Sequence, residues 1–144
     1  MRDIGRLLRR YVGASAVAML LAGCAGMGMS DGMKVSLTGA QEVPPVPTQA
    51  SGNGSISIKA DHSVSGSVAT SGMAGVAAHI HMGAAGKNGP VIVPLKKTAD
   101  NVWSVPDGAK LTDAQYAAYQ AGDLYVNVHS AAHKGGEIRG QLTP

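Results

Sequence analysis

The sequence predicts an all-β fold, an antiparallel β sandwich of seven or eight short strands with one short helix. Short runs in which apolar and polar residues alternate recur along residues 34–144, and turn-forming residues separate them. Each run is typical of a strand that buries one face, and such strands pack as two antiparallel layers. No part of this segment repeats another, so a single domain is expected over 34–144.

The strands are expected in close succession along the domain. A turn at 60–63 joins two of them as a hairpin, and the prolines at 44–47 interrupt the sheet or run along its edge. No phenylalanine is present, and valine is frequent. The predicted strands are 35–38, 55–59, 64–68, 76–82, 90–95, 102–105, 124–129 and 137–142.

One helix is predicted at 112–121. Thr112 and Gln115 have the spacing of a capping box, in which each side chain bonds the other residue's backbone. Gly122 supplies the left-handed position that ends a helix. Tyr116 and Tyr119 share one face and are expected to pack against the sheet, so the helix is a structural element.

The N-terminus has the layout of a lipoprotein signal peptide. Four arginines precede an apolar run that is too short for a stable transmembrane span. The run ends in Leu21-Ala22-Gly23-Cys24, which resembles a lipobox, and this cysteine is the only one in the chain. We expect a signal peptide over 1–23, a diacylglycerol on Cys24 and a flexible tether over 24–33. An ordinary secretory signal with an incidental cysteine is the alternative.

Removing this leader changes what the charge of the chain implies. Residues 1–23 hold four Arg and one Asp, which equals the whole-chain charge of +3, so the remainder is formally neutral. A neutral domain offers no basic surface for a phosphate backbone, which excludes nucleic acid as a partner. The expected partner is a membrane, reached through the lipid on Cys24, and the sequence identifies no protein partner. Ala25 rather than Asp follows Cys24, which favours the bacterial outer membrane, on its periplasmic side.

Two predicted strands, 76–82 and 124–129, separate polar from apolar residues. One face carries His79 and His81 on the first strand and His129 on the second. We expect this face to lie on the outside of the sandwich. The same outer face also carries Tyr125 and Asn127, and the inward face carries Val76, Ala78, Ile80, Met82, Leu124, Val126 and Val128.

If these two strands are neighbours, three imidazoles converge on one surface. Neutral imidazoles suit Cu(II) or Zn(II) and leave a fourth position for water or a substrate. We therefore predict a metal site formed by His79, His81 and His129, with copper as the expected ion and zinc as the alternative. His133, in the next loop, is a further candidate for the fourth position. Asn127 and Tyr125 are predicted to line the approach to this site.

The remaining charged residues carry no recognisable catalytic pattern. Glu42 and Glu137 are far apart in sequence and lack the signature of paired acids. Glu137 and Arg139 lie two residues apart on the last predicted strand, and we expect a partly exposed ion pair between them rather than a brace for the histidines. The Gly-rich run 83–89 lacks the spacing of a phosphate-binding loop and is predicted to be a hairpin loop.

Several sequence blocks resemble the chordin-type (CHRD) domain family. The segment LTGAQEVPP at 37–45 resembles its opening motif, and 79–95, which begins HIHMG, resembles its central block. The segments 124–130 and 135–142 resemble its closing signature. These blocks span nearly all of 34–144 in the family's order. The resemblance implies a β sandwich and an exported protein, in this case a bacterial one. It implies little about biochemical activity.

A weaker similarity is to the copper–zinc superoxide dismutases, whose sandwich carries a His-x-His strand and a later strand that ends in histidine. His79, His81 and His129 match those copper-ligand positions. The chain has no cysteine pair and no clear zinc loop, so the similarity favours metal binding over dismutase activity. We expect a lipid-anchored protein of metal handling or redox protection, and the sequence favours a binding protein over an enzyme. The alternative is an envelope module that binds proteins or surface polymers, with ordinary surface histidines.

Overall fold

The structure, a computed structural model, describes residues 32–144. It contains nine strands, one α-helix, α1 (Asp113–Gln120), and one 3-10 turn, Gly39–Gln41. The strands are β1 (Met33–Thr38), β2 (Ser51–Ile58), β3 (Val64–Ser71), β4 (Gly75–Met82), β5 (Val91–Pro94), β6 (Lys96–Ala99), β7 (Val102–Ser104), β8 (Leu124–Ser130) and β9 (Ile138–Leu142). The predicted signal peptide, Cys24 and nearly all of the tether lie outside the described residues.

All nine strands form one antiparallel sheet in the order β5-β4-β8-β9-β1-β2-β3-β7-β6. The two ends of this order, β5 and β6, are consecutive in the chain and are separated only by Leu95. The sheet therefore curls back on itself into a near-barrel. The backbone N–H of Leu95 donates to the carbonyl of Ala78 on β4 at 2.9 Å, which extends the β4–β5 pairing to the start of β6. The predicted all-β, antiparallel fold with one short helix is confirmed.

The hydrophobic core lies inside the curled sheet, and every strand except β6 contributes buried side chains to it. Burying one Val, Leu or Ile side chain contributes about 1.5–3 kcal/mol. A slip of one residue would bring the polar face of a strand into this core, so the apolar residues fix the register of each strand. The central core residues are Val35, Leu37, Ile56, Val68, Ala78, Ile80, Trp103, Leu124, Val126, Val128, Ile138 and Leu142.

The eight predicted strands are all present, with ends that shift by a few residues, but β6 was not predicted. Every residue of β6 is exposed, so the segment has no apolar alternation that would mark it as a strand. Lys96 and Lys97 lie on this edge strand, and lysines are common on edges because they discourage pairing with other chains.

Val76, predicted to face inward, is 60 % exposed. The pairing of β4 with β8 shifts between Gly75 and Ala77, so Val76 is the extra residue of a β-bulge. Beyond the bulge the alternation follows the prediction, and Ala78 and Ile80 are buried in the core. The bulge therefore moves one apolar side chain to the outer face, at the N-terminal end of β4.

The predicted capping box at α1 is present. Thr112 Oγ1 accepts a hydrogen bond from the backbone N–H of Gln115 at 3.2 Å, and Gln115 Oε1 accepts one from the Thr112 N–H at 2.9 Å. Gly122 follows the helix with a φ of +79°, as expected for a left-handed stop. Tyr116 stacks on His62 of the β2–β3 turn, with ring centroids 4.3 Å apart. Among residues 32–144, no helix has the length and apolar character needed to cross a membrane.

Candidate metal centre

The pairing of β4 with β8 brings three histidines together. The two strands are adjacent and antiparallel, with Ala77 opposite His129 and His79 opposite Asn127. His79 Nδ1 lies 2.9 Å from His129 Nε2. One ring nitrogen from each of His79, His81 and His129 lies within 4.8 Å of the other two. The predicted convergence of these three imidazoles on one face is confirmed.

The face that carries the histidines is not an open surface, contrary to the prediction. His79 is half-buried, whereas His81 is 8 % exposed and Asn127 only 2 %. Strand alternation tells which side of the sheet a residue occupies, but two loops cover this side. The loop 83–90 packs over one end of β8, and the loop 131–136 packs over the other.

Backbone carbonyls fix the tautomers of two histidines. His81 Nδ1 lies 2.9 Å from the carbonyl oxygen of Gly89, and His129 Nδ1 lies 2.8 Å from that of Lys134. A carbonyl oxygen only accepts, so each Nδ1 carries the hydrogen and each Nε2 of the neutral ring keeps a lone pair. Metal-binding histidines are commonly oriented in this way, by donating the other ring N–H to a carbonyl.

His79 uses the opposite nitrogen. Since His129 Nε2 has a lone pair, His79 Nδ1 donates to it in the metal-free protein. A cation that replaced this shared proton would have His79 Nδ1, His81 Nε2 and His129 Nε2 as ligands. The loops that bury the cluster therefore also determine which ring nitrogens keep a lone pair for a cation.

Tyr125 and Arg139 support His81 from the side away from the cluster. The rings of His81 and Tyr125 are stacked, with centroids 4.7 Å apart and planes at 5°. The Arg139 guanidinium carbon lies 3.4 Å from the centroid of the Tyr125 ring, a cation–π contact. Tyr125 is buried, so it holds the ring of His81 in place and does not line an approach from solvent.

Burial keeps two of the imidazoles neutral. Desolvation lowers the pKa of His79, and the nearby rings of His129 and His81 lower it further. Desolvation also lowers the pKa of His81, although the hydrogen bond to the Gly89 carbonyl offsets part of this effect. Imidazole binds a metal only in its neutral form, so the lowered pKa values favour ligation at neutral pH.

The same pKa shifts predict an acid-sensitive metal-free protein. The folded-state pKa values of His79 and His81 lie below their ordinary value of 6.5, so the unfolded chain binds more protons as pH falls through 6.5. Their contribution to stability is thus fully present above pH 6.5 and is lost towards the lowered pKa values. We expect the melting temperature of metal-free protein to fall between pH 7.5 and 5. The decrease should be smaller in the His79→Gln/His81→Gln variant, and equal decreases in both proteins would contradict this assignment.

The comparison with protein families agrees with the sequence blocks. The CHRD domain family model matches residues 33–142, which is most of the chain. The chain belongs to the CHRD domain family. No curated protein and no solved structure matches it. The similarity to superoxide dismutases therefore stays a prediction.

The histidine cluster of this CHRD domain borders a surface depression of about 390 Å³. The depression is mostly apolar, and the bulged Val76 lies on its wall. It gives an ion or a small molecule a route to the half-buried His79. The lining residues are Val76, Ala77, His79, His129, Ser130, Ala131 and Lys134.

His133, the further ligand candidate, is not brought into the cluster. Its backbone N–H donates to Ser130 Oγ at 3.2 Å, within the β8–β9 loop. Its side chain borders a different depression, together with Glu42 and Gly136. In the described structure, the group of residues that could hold a metal ion is limited to the three strand histidines.

The predicted ion pair between Glu137 and Arg139 is wrong. Glu137 precedes β9 and does not follow its alternation, and its Oε1 accepts a hydrogen bond from Thr48 Oγ1 at 2.7 Å. Arg139 is 1 % exposed, and its Nη2 donates to the carbonyls of Ala84 and Lys87 at 3.1 and 2.7 Å. Arg139 thus fastens the 83–90 loop, whose Gly89 carbonyl orients His81.

Sequence reasoning also missed Glu42, which is 5 % exposed and lies beside Asn127. Burial raises its pKa, while the charge of Arg139 acts in the opposite direction. A glutamate in a loop between strands gives no periodic signal that would mark it as buried. Its position in the opening block 37–45 was the single available clue.

Proposed function

We propose that this CHRD-domain protein binds one copper or zinc ion through His79 Nδ1, His81 Nε2 and His129 Nε2. The observation that supports the proposal is the pair of carbonyls, from Gly89 and Lys134, which turn two lone pairs toward a shared point. Three neutral imidazoles with one side open are a donor set for Cu(II) and Zn(II).

The distances suit such an ion after small movements. Metal–nitrogen bonds of about 2.0–2.1 Å place tetrahedral ligand nitrogens about 3.3 Å apart. His79 Nδ1 and His129 Nε2 are 2.9 Å apart, and one ring nitrogen of each of the three histidines lies within 4.8 Å of the other two. A modest rotation of the half-buried His79 ring, on the side of the depression, would equalise these distances.

A second observation favours a cation near His81. His81 Nε2 is buried and has no hydrogen-bond partner, and the same is true of Asn127 Oδ1. An unpaired buried acceptor costs about 1–3 kcal/mol. A bound cation would offset this cost at His81, whereas an ordinary surface histidine would be solvated.

Copper is the expected ion because Cu(II) binds nitrogen ligands more tightly than Zn(II) does. The function proposed is metal handling or redox protection at the cell envelope, by binding rather than by catalysis. Zinc remains the alternative ion, and the concentrations of copper and zinc in the cell envelope would decide which of the two is bound.

Metal analysis of residues 25–144, which contain the whole sheet and its core, tests the proposal. After incubation with Cu(II) or Zn(II) and desalting, we expect about one equivalent of metal in the wild type. The His79→Ala/His81→Ala/His129→Ala variant should retain none. A matched His62→Ala/His133→Ala variant should bind like the wild type. Absence of metal from every protein would favour the alternative, an envelope module that binds proteins or surface polymers.

We also propose that Cys24 carries a diacylglycerol that anchors the domain in the outer membrane, facing the periplasm. The proposal rests on the Leu21-Ala22-Gly23-Cys24 sequence and the apolar run before it. In a Gram-negative host, Cys24→Ala should leave the precursor unprocessed or release the protein from the membrane fraction. Fractionation and intact-mass measurement check this result, and unchanged mass and membrane retention would refute the anchor.

A further inference from the structure

The depression beside the histidine cluster has the lining of a small-molecule site. Val76, Ala77 and Ala131 form its apolar wall, and two of the three cluster histidines, His79 and His129, line it as well. Val76 is 60 % exposed, so the β-bulge supplies an apolar side chain directly beside the histidines. A volume of about 390 Å³ lies at the lower end of the range for ligand pockets, roughly 300–1,000 Å³. The depression can therefore hold the apolar part of a small ligand.

The charge around the depression is one-sided. Lys134 is exposed and lines it, and no acidic residue of the described chain does so. The buried glutamates, Glu42 and Glu137, lie outside this lining, and Glu137 is bound to Thr48 Oγ1. Three neutral imidazoles would leave the double positive charge of a bound ion unbalanced, and a partly buried charge is costly unless an opposite charge accompanies it. The ion and Lys134 would together favour an anion at the open coordination position.

The surface around the depression does not have the extent of a protein interface. In the described part of the chain, the exposed large hydrophobic residues are Val76 and Val91. Val91 belongs to β5 and does not line the depression. A stable protein partner would cover about 800 Å² on each side, with an apolar centre, and one exposed valine beside the histidines does not supply it. The depression therefore fits a small molecule better than a protein.

We propose that the metal centre takes a small monocarboxylate as its fourth ligand, with the carboxylate on the ion and a short apolar body in the depression against Val76, Ala77 and Ala131. This inference rests on the proposed metal-binding function. Carboxylate oxygen joins imidazole nitrogen in many zinc sites that have an open position. Lys134 adds a positive charge that attracts the same group. A monocarboxylate matches the site because it combines one negative charge with an uncharged apolar body.

A series of unbranched acids tests the proposal, because acetate, propanoate, butanoate and pentanoate differ only in the apolar body. Each acid is titrated into Zn(II)-loaded, ¹⁵N-labelled residues 25–144, and binding is followed by the amide shifts of Val76, Ala77 and Ala131. We expect affinity to rise about two- to fourfold with each methylene group, since each added group leaves water. The metal-free protein should bind the same acids far more weakly, because the carboxylate then has no ion to contact.

The two exposed valines provide a matched pair of variants. Val76→Ser removes the largest apolar side chain of the wall and adds no charge. It should weaken pentanoate binding about three- to tenfold and leave the affinities for acetate and Zn(II) unchanged. Val91→Ser removes the exposed valine outside the depression and should bind the whole series like the wild type.

Lys134→Gln tests the charge separately from the apolar wall. The substitution keeps the backbone carbonyl that orients His129, so Zn(II) should bind as in the wild type. All four acids should bind about two- to fivefold more weakly by the same factor, because an exposed charge acts on the carboxylate and not on the chain length. Lys97→Gln, on the exposed strand β6, is the control and should change none of these affinities.

The outcomes separate this proposal from the proposed function. Equal affinity for acetate and pentanoate would show an anion position without an apolar subsite, and equal affinity in metal-free protein would show that the acid does not contact the ion. Either result, or a Zn(II)-loaded protein that binds none of the acids, would overturn the inference. Concentration-dependent shifts of the same amides without any acid would assign the depression to a second copy of the chain and would also overturn it. A protein that retains no Zn(II) would refute the proposed function, and the carboxylate site would fail with it.

Discussion

Arg139→Met is expected to lower the free energy of unfolding by about 3–5 kcal/mol, the usual cost of removing one partner from a buried charge cluster. Arg139 is 1 % exposed, and its charge offsets part of the cost of burying Glu42. The substitution also removes the hydrogen bonds from Nη2 to Ala84 and Lys87 and the contact with the Tyr125 ring. Domains of this size have only about 5–15 kcal/mol of stability, so the loss is a large fraction.

Urea denaturation of the metal-free domain measures this effect. Arg139→Lys keeps the charge but loses the planar fork, so we expect an intermediate loss. Lys97→Met removes an exposed cation from the edge strand and should change stability by less than about 0.5 kcal/mol. If Arg139→Met behaved like Lys97→Met, the guanidinium would not be fastening the 83–90 loop.

Arg139 also links stability to the metal centre. The loop that it holds contains Gly89, whose carbonyl fixes the tautomer of His81. The ring that it covers is Tyr125, which stacks on His81. A single buried cation therefore supports His81 through both its hydrogen bond and its packing.

The polar face of the site was predictable because strand alternation is a local property. In β4 and β8, apolar residues at every second position required His79, His81 and His129 to share the opposite face. That argument assumed, but could not show, that β4 and β8 are neighbours in the sheet. It depends on the order of the whole sheet, which alternation within one strand does not determine.

Burial of the site was not predictable by the same means. Alternation cannot show that loops cover the outer face, and the 83–90 loop is held by Arg139 through the carbonyls of Ala84 and Lys87 as well as the Asn88 side chain. Carbonyls have no sequence signature. Val76 was misplaced for a related reason, because a β-bulge arises from the pairing of two strands rather than from one of them.

Metal-dependent stability is the second large effect. The three ligand nitrogens converge only when β4 and β8 are paired, so an ion should bind the folded state far better than the unfolded chain. At free Zn(II) 1,000-fold above the dissociation constant, the expected stabilisation is about 4 kcal/mol. For a domain of this size, that corresponds to a rise in melting temperature of roughly 15 °C.

The control variants decide where the ion binds. The His79→Ala/His81→Ala/His129→Ala variant should show no shift with Zn(II), whereas His62→Ala/His133→Ala should shift like the wild type. Equal shifts in the wild type and the triple variant would place the ion elsewhere.

The stabilisation should also weaken as pH falls, because protons compete for the same nitrogens. Since burial lowers the pKa of His79 and His81, this competition should begin at a lower pH than for exposed imidazoles. Thermal denaturation with and without Zn(II), from pH 7.5 down to pH 5, measures both effects.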